Sequence, residues 1–312
     1  MKVDHIKILI CPKCHDKLHL KILKSEENNT IQEGLLICDH CKTQYPIINS
    51  IPRFVSLDNY SSSFGYQWNI HSRTQYDSYT GLKISEERFF KETGWDRNLN
   101  GEIILEAGCG SGRFTEQALK TGAFVVSFDY SNAVDANYKN NKCDNLLVVQ
   151  ADIYNMPFRD GFFDKTFCIG VLQHTPDVKK AFDSLVKKVR SNGILVIDVY
   201  KKVPLYKKWF YTKYFVRMVT KHIDHIKLYK FIEKSITFLW PIIKFVSKLP
   251  LGRQINWFFL IADYRGIYPL TEEELKNWAI LDTFDMLSPK YDYPQNIETV
   301  KKWFVENKFK NI

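Results

Sequence analysis

The chain has 312 residues, of which 45% are apolar, 15% aromatic and 25% charged, the composition of an ordinary folded protein. This length predicts about two domains. The longest uncharged apolar stretches, residues 235–243 and 255–262, are much shorter than the ~18 to 20 residues of a membrane-spanning helix, so the sequence argues against such a helix.

The first residues, MKVDHIKILICPKC, contain only a short apolar run and lack the ~7 to 15 residue core of a secretory signal. We therefore expect a cytoplasmic protein, and its seven cysteines are not expected to form disulfides. The net charge of +9 is unevenly distributed. Residues 201–253 hold thirteen Lys or Arg and two acidic residues, a net charge of +11, whereas the remainder carries −2. Any argument about acidic partners therefore concerns that segment.

Two CxxC pairs mark an amino-terminal module, Cys11-Pro-Lys-Cys14 and Cys38-Asp-His-Cys41. Each pair turns tightly enough to direct two thiolates at one metal, and two pairs complete a tetrahedral site. The spacing predicts a zinc ion held by Cys11, Cys14, Cys38 and Cys41. The residues leave open whether this module contacts a partner or is a small appendage stabilised by its metal.

The segments CPKCHDKL and LLICDHCKTQYPIINSIPRF resemble the zinc ribbon found as a small methyltransferase-activating protein and also fused to methyltransferases. The resemblance covers about residues 8–55. We accordingly predict a zinc ribbon over residues 1–58, a linker at SSSFGYQW, and a second domain over residues 59–312.

Short apolar runs alternate with amphipathic stretches from Glu102 onward. The runs EIILEAG, FVVSFD, LLVVQAD, KTFCIGV and GILVIDVY are typical of buried strands, and RFTEQALK and DVKKAFDSLVKKV have helical spacing. This alternation predicts an α/β fold with a Rossmann-like, mostly parallel, doubly wound sheet.

Glycines follow the first of these strands at Gly108, Gly110 and Gly112, directly before a predicted helix. Glycine lets the backbone turn sharply and approach a ligand at a helix amino terminus. A dinucleotide fingerprint would have a further glycine where Arg113 stands, so NAD and FAD are disfavoured.

Carboxylates end the next two strands. Asp129 follows Glu106 by 23 residues and is placed to accept hydrogen bonds from ribose hydroxyls. Asp152 and Ile153 end the third strand, where a carboxylate beside an apolar side chain suits an adenine ring. An adenosine moiety is the expected ligand.

The segments EAGCGSGRF, SFDYS, QADIYNMPF and FDKTFCIGVLQHTPD resemble, in order and spacing, the class I S-adenosylmethionine-dependent methyltransferases over about residues 85–200. The resemblance implies S-adenosylmethionine as cofactor and transfer of its methyl group. We expect the acceptor to be a small or lipid-linked molecule, such as a glycan or a secondary-metabolite precursor. The cofactor residues that it implies are Glu106, Gly108, Gly110, Asp129, Asp152, Ile153, Gly170 and Val171.

Three regions are candidates for the acceptor side. His174 follows the fourth strand and is a candidate general base, although it could instead order its loop. Residues 64–97 are rich in aromatics and could form a lid. The segment DTFDMLSPKYDYPQ is predicted to be a loop, which suits either substrate hydroxyls or surface packing. Its polar candidates are Asp282, Asp285, Tyr291 and Asp292.

Residues 201–265 are predicted to form a basic, aromatic insertion of amphipathic helices broken near Pro241. Its aromatics could pack on the domain, rest on an anionic membrane surface near a lipid-linked acceptor, or accompany lysines along nucleic acid phosphates. Two alternative functions follow: an RNA base methyltransferase that uses the ribbon and basic helices, and a non-catalytic adaptor that keeps the fold. The aromatic residues of its first part include Tyr206, Trp209, Phe210 and Tyr211.

Overall fold

The computed structural model describes residues 1–26, 29–56, 59–202 and 212–312. Four aromatics of the predicted insertion lie outside these ranges: Tyr206, Trp209, Phe210 and Tyr211. Within the described ranges, every helix is too short or too polar to cross a bilayer.

The amino-terminal module is a short 3-10 helix, Val3–Ile8, followed by a four-stranded antiparallel sheet. Ile31, Leu36 and Ile47 fill its small core. Few side chains are buried, as expected of a ribbon stabilised by a metal. The strands are β1 (Leu18–Ser25), β2 (Ile31–Cys38), β3 (Gln44–Ile48) and β4 (Ile51–Pro52).

The second sheet has five parallel strands in the order β7-β6-β5-β8-β9 and confirms all five predicted strands. The chain builds outward from β5 in one direction and then returns to add β8 and β9 on its other side. Ligands of open α/β sheets bind where the order reverses, here between β5 and β8. The strands are β5 (Ile103–Ala107), β6 (Phe124–Asp129), β7 (Leu146–Gln150), β8 (Phe163–Cys168) and β9 (Val189–Ile197).

Helices cover both faces of this sheet, and each face has its own buried apolar cluster. Phe114 and Ala118 lie in one cluster, while Phe182 and Leu185 lie in the other. The doubly wound α/β prediction is therefore confirmed. The helices up to this point are α1 (Ser62–Ile70), α2 (Asp77–Thr80), α3 (Ile84–Thr93), α4 (Arg113–Lys120), α5 (Val134–Asn141) and α6 (Val178–Lys188).

The ribbon is joined to the second sheet by backbone pairing. Arg53 forms a parallel bridge with Gln150 of β7, and the Phe54 amide donates to the Gln150 carbonyl over 2.8 Å. At a second contact between the two sheets' modules, the Ile10 amide donates to the Pro157 carbonyl over 2.9 Å. The ribbon thereby covers the β7 edge, where unpaired backbone groups would otherwise be exposed.

Among the described residues, five helices follow β9, and the first four, α7 to α10, are called the helical cap below. Contrary to the predicted break, α8 continues through Pro241 to Val246. Ile236 and Ile243, on either side of the proline, belong to one buried cluster with Phe284 of α10, and this packing holds both halves in line. The helices are α7 (Lys213–Thr220), α8 (His225–Val246), α9 (Gly252–Phe258), α10 (Glu272–Leu287) and α11 (Ile297–Glu306).

Candidate active site

A cavity of about 470 Å³ lies at the carboxyl ends of β5, β6 and β8. Helix α1 and the helical cap form its other walls. The volume is in the range of small-molecule and cofactor sites. Seven of the residues predicted from the sequence line it together: Gly108, Gly110, Asp129, Ile153, Gly170, Val171 and His174.

The glycine loop after β5 passes very close to the loop after β8. Gly108 has φ of 75°, and a Cβ added there would lie 2.3 Å from a methyl carbon of Val171, so no larger residue fits without displacing that loop. The Gly110 amide donates to Asp129 Oδ2 over 2.9 Å. The loop is thus held against the end of β6.

Asp129 presents a buried carboxylate at the cavity wall. Its Oδ1 accepts hydrogen bonds from the amide and the hydroxyl of Ser131, over 2.8 and 2.7 Å. Burial raises the pKa of Asp129 above its ordinary value, against the lowering effect of these donors. Each oxygen keeps acceptor capacity, so the group can also receive ligand hydroxyls.

Two of the predicted cofactor residues, Glu106 and Asp152, are not among the residues that line this cavity. Oε2 of Glu106 accepts the hydroxyls of Thr115 and Ser127, the latter over 2.6 Å. Burial raises the pKa of Glu106 to about 7. Asp152 accepts the Tyr154 amide over 2.9 Å, and only its neighbours in the chain reach the cavity. Glu106 thereby joins β5 to α4 and β6, and Asp152 orders the loop that follows β7.

His174 has a defined orientation in the cavity wall. Its Nδ1 lies 2.9 Å from the carbonyl oxygen of Tyr291. Because a carbonyl only accepts, Nδ1 carries the proton, and Nε2 of the neutral ring is left as an acceptor. The ring packs against Phe64 and Tyr200, with centroid distances of 5.2 and 5.5 Å. This arrangement can accept a proton from a bound molecule.

Asp282 and Asp285 lie on α10, where the sequence analysis predicted a loop. The loop prediction is wrong for this part, because buried Leu281, Phe284 and Leu287 recur at helical spacing and pack the segment as a helix. Both carboxylates line the cavity. Tyr291 and Asp292, beyond the helix, do lie in a loop.

Side chains from distant segments hold these carboxylates. The Tyr264 hydroxyl donates to Asp282 over 2.5 Å, and Gln67 Nε2 donates to Asp285 over 3.2 Å. Burial raises the pKa of Asp282 to about 6. The cavity is therefore polar at its α10 wall.

Sequence reasoning missed several aromatic and cationic residues that line the cavity. Arg113 appeared only as an argument against dinucleotides, yet it lines the cavity and donates to Gln75 Oε1 over 2.5 Å. Burial lowers the pKa of Arg113 to about 10 and also lowers that of Lys213. Arg113 belongs to the segment EAGCGSGRF, whereas the other residues belong to no local motif and lie in the helical cap. Its aromatic lining residues are Trp257, Tyr264, Tyr268 and Trp278.

The segment predicted as a lid contributes α1 to the cavity wall, through Phe64, Gln67 and Trp68. A Cβ added at Gly110 would lie 3.2 Å from the indole nitrogen of Trp68. Oε1 of Gln67 is buried and has no hydrogen-bond partner among the described residues. A buried acceptor in this wall can receive a hydrogen bond from a ligand, and together with the Asp129 carboxylate it fits a ligand that carries hydroxyl or amino groups, as S-adenosylmethionine does.

The four ribbon cysteines converge at the predicted metal centre. Their sulfurs all lie within 4.8 Å of one another, with 3.6 Å between Cys11 and Cys41 and 3.3 Å between Cys14 and Cys38. The Tyr45 hydroxyl lies 3.3 Å from the Cys11 sulfur, as an outer contact. Four thiolates in this arrangement fit a structural zinc ion, which would cross-link the two CxxC turns.

Comparisons with protein families match both parts of the chain. Residues 105–197 match the methyltransferase domain family, and residues 2–50 match the Trm112p-like protein family. The chain thus carries a class I S-adenosylmethionine-dependent methyltransferase domain behind a zinc-ribbon domain of the Trm112p-like type.

Individual relatives are more distant. An uncharacterized chloroplastic methyltransferase of Arabidopsis thaliana is 22% identical over 63% of this chain, which spans 62% of that relative. A tRNA (carboxymethyluridine(34)-5-O)-methyltransferase of the same plant is 34% identical over 32% of this chain and 24% of its own length. A putative methyltransferase structure from Bacillus halodurans aligns with a TM-score of 0.38 at 18% identity, covering 44% of this chain and 60% of that one.

Proposed function

Because residues 105–197 belong to a methyltransferase family, we propose that the chain transfers the methyl group of S-adenosylmethionine to a small or lipid-linked acceptor. We further propose His174 as the general base. One observation carries this proposal: the glycine loop, Asp129 and His174 line the same cavity. The hydrogen bond between His174 Nδ1 and the Tyr291 carbonyl fixes the orientation of the ring and leaves Nε2 as an acceptor.

On the donor side, the backbone of Gly108 and Gly110 leaves room for the cofactor to approach. Asp129 would accept its ribose hydroxyls, and Ile153 would pack on the adenine. When bound, S-adenosylmethionine supplies an electrophilic methyl group, so the protein needs mainly to align the acceptor and exclude water. Glu106 and Asp152 would act on the cofactor indirectly, Glu106 through α4 and β6 and Asp152 through the loop after β7.

On the acceptor side, Nε2 of His174 would take the proton from an acceptor hydroxyl or acidic carbon as the new bond to the methyl group forms. The hydrogen bond from Nδ1 to the Tyr291 carbonyl would hold the ring in place. The aromatic wall opposite would position a ring or chain, and Asp282 and Asp285 would accept hydrogen bonds from its polar groups.

Titration calorimetry with S-adenosylmethionine tests the donor side. We expect Asp129→Ala to weaken binding by about 1 to 3 kcal/mol, because the ribose loses its acceptor. Asp96→Ala, at an exposed carboxylate, is the matched control and is expected to bind as the parent does. Equal affinity of the parent and Asp129→Ala would remove Asp129 from the site. A parent chain that binds neither S-adenosylmethionine nor its demethylated product would instead support the adaptor function.

Methyl transfer from labelled S-adenosylmethionine into lipid and small-molecule extracts tests the acceptor side. His174→Gln is expected to keep cofactor affinity and to lower the transfer rate by about 10²- to 10⁴-fold, because the proton loses its acceptor. The variant should also differ from the parent in the pH dependence of the transfer rate. An unchanged rate and profile would leave His174 with only the role of ordering its loop.

RNA methylation is the second candidate function. The similarity to a tRNA methyltransferase over 104 residues and the basic helical cap favour it. It predicts label in RNA extracts and RNA binding that weakens steeply with salt. Label in RNA alone would replace the small-molecule acceptor by RNA and leave the donor side unchanged.

A further inference from the structure

Helix α8 has an apolar row on its outer side in addition to its buried side. Phe231, Phe238 and Phe245 are spaced by seven residues, about two helical turns, and Ile242 falls on the same side. Their exposed fractions are 69%, 82%, 65% and 57%. These four residues are called the phenylalanine stripe.

The inner side of α8 is already occupied. Leu228, Ile232, Ile236 and Ile243 are buried against α10 and do not overlap the stripe. Packing among the described residues therefore explains one apolar face of the helix and leaves the other exposed to solvent. A contiguous exposed row of this kind marks an interaction surface.

Cationic side chains adjoin the stripe. Lys227, Lys230 and Lys234 are exposed and fall on the neighbouring arc of the helix, and they form no ion pair with any carboxylate in the described ranges. Between residues 212 and 253 there are nine Lys or Arg and only two acidic residues, Asp224 and Glu233. An apolar row beside unpaired cations complements an anionic surface with an apolar interior.

We propose that the phenylalanine stripe binds the surface of an anionic membrane. The stripe would enter the boundary between headgroups and acyl chains, while the lysines contact anionic headgroups. The basic surface would disfavour a symmetric contact with a second copy, since it would bring like charges together. RNA is less suited to the stripe, because phosphates offer nothing to Ile242 and the bases would have to stack along a continuous row of apolar side chains.

The same helices connect this surface to the cavity. Helix α9 packs on α8, and its Trp257 lines the cavity, whereas the next residues, Phe258 and Phe259, are 50% and 68% exposed. An amphiphilic acceptor in the bilayer would thus lie close to the cavity wall. This last step rests on the proposed function, whereas membrane binding does not.

Co-sedimentation of the full chain with vesicles, without donor or acceptor, tests the surface separately from catalysis. One set is phosphatidylcholine, and the other contains about a third phosphatidylglycerol. We expect strong binding only to the anionic set. Phe238→Ser/Phe245→Ser should lower the partition coefficient at least about tenfold, because two exposed apolar groups are lost. Val305→Ser, at a 64% exposed helical position outside the cap, is the matched control.

A charge variant, Lys227→Gln/Lys230→Gln/Lys234→Gln, should reduce binding to the anionic vesicles to the level seen with phosphatidylcholine. Circular dichroism of each variant should match that of the parent, since every altered side chain is exposed. The proposal is overturned if the parent binds neither vesicle set, or if the phenylalanine variant binds as the parent does. It is also overturned if the stripe variant instead loses RNA binding or dissociates a dimer in sedimentation.

Discussion

The zinc ribbon and the helical cap are both additions to one parallel sheet, yet they are attached in different ways. The ribbon continues the sheet through backbone pairing at β7, and none of its described residues lines the cavity. The cap is attached through side-chain packing and supplies a large part of the cavity wall. Backbone pairing can hold an added module in place whatever its side chains are. A cap held by side-chain packing can instead carry different residues at the cavity wall. We propose that the ribbon contributes stability and that the cap selects the acceptor.

A buried arginine anchors each addition, but in different surroundings. Arg53 donates to Gln150 on β7 and to Asp135, which is 34% exposed. Arg217 of the cap donates to the Met286 carbonyl and to Asp292, whose side chain is 4% exposed. Replacing each arginine by alanine therefore compares the loss of an ion pair whose carboxylate is partly exposed with the loss of one whose carboxylate is buried.

Loss of the metal is expected to have the largest effect. Cys38→Ser should abolish zinc binding and lower the free energy of unfolding by about 5 kcal/mol or more, since zinc binding supplies most of the folding free energy of small zinc modules. Metal content and thermal unfolding measure this. Cys143→Ser, at an exposed cysteine outside the cluster, should change neither. If zinc is lost while the main unfolding transition stays in place, the ribbon does not stabilise the sheet.

Arg217→Ala is expected to have the second largest effect on stability. Removal of the guanidinium leaves Asp292 buried without its partner, at a cost of about 3 to 5 kcal/mol in urea unfolding. The double variant Arg217→Ala/Asp292→Asn should recover part of that loss, because the uncompensated charge is gone. Absence of any recovery would show that the arginine acts through its contact with the Met286 carbonyl instead.

Arg53→Ala should have the smallest effect of the three, about 1 to 3 kcal/mol, because Asp135 can regain water when its partner is removed. Arg97→Ala, at an exposed arginine paired with Glu86, serves as the control and should cost less than about 1 kcal/mol. A loss at Arg53 as large as that at Arg217 would remove the contrast between the two anchors.

Much of the fold could be predicted because its signals are local. Each of the five strands is a short apolar run, and the helix Arg113–Lys120 has the predicted bounds. The cysteine spacing predicted a cluster that the fold brings together, and the glycine loop and Asp129 meet at one cavity. Hydrophobic periodicity, glycine position and cysteine spacing are properties of residues close together in the sequence. They can therefore be recognised without knowing the tertiary contacts.

The residues that differ from expectation are those whose surroundings come from other elements of the fold. Asp282 and Asp285 belong to a helix that packs against α8. Glu106 does not line the cavity, and Thr115 on α4 and Ser127 on β6 hold its carboxylate. The sequence by itself determined the strand series, the metal ligands and the glycine loop, whereas only the tertiary structure decided the α10 wall of the cavity and the hydrogen bond that orients His174. The physical reason is that burial, and the partner on the far side of a contact, depend on residues from other elements of the fold; His174 and Tyr291 are 117 positions apart.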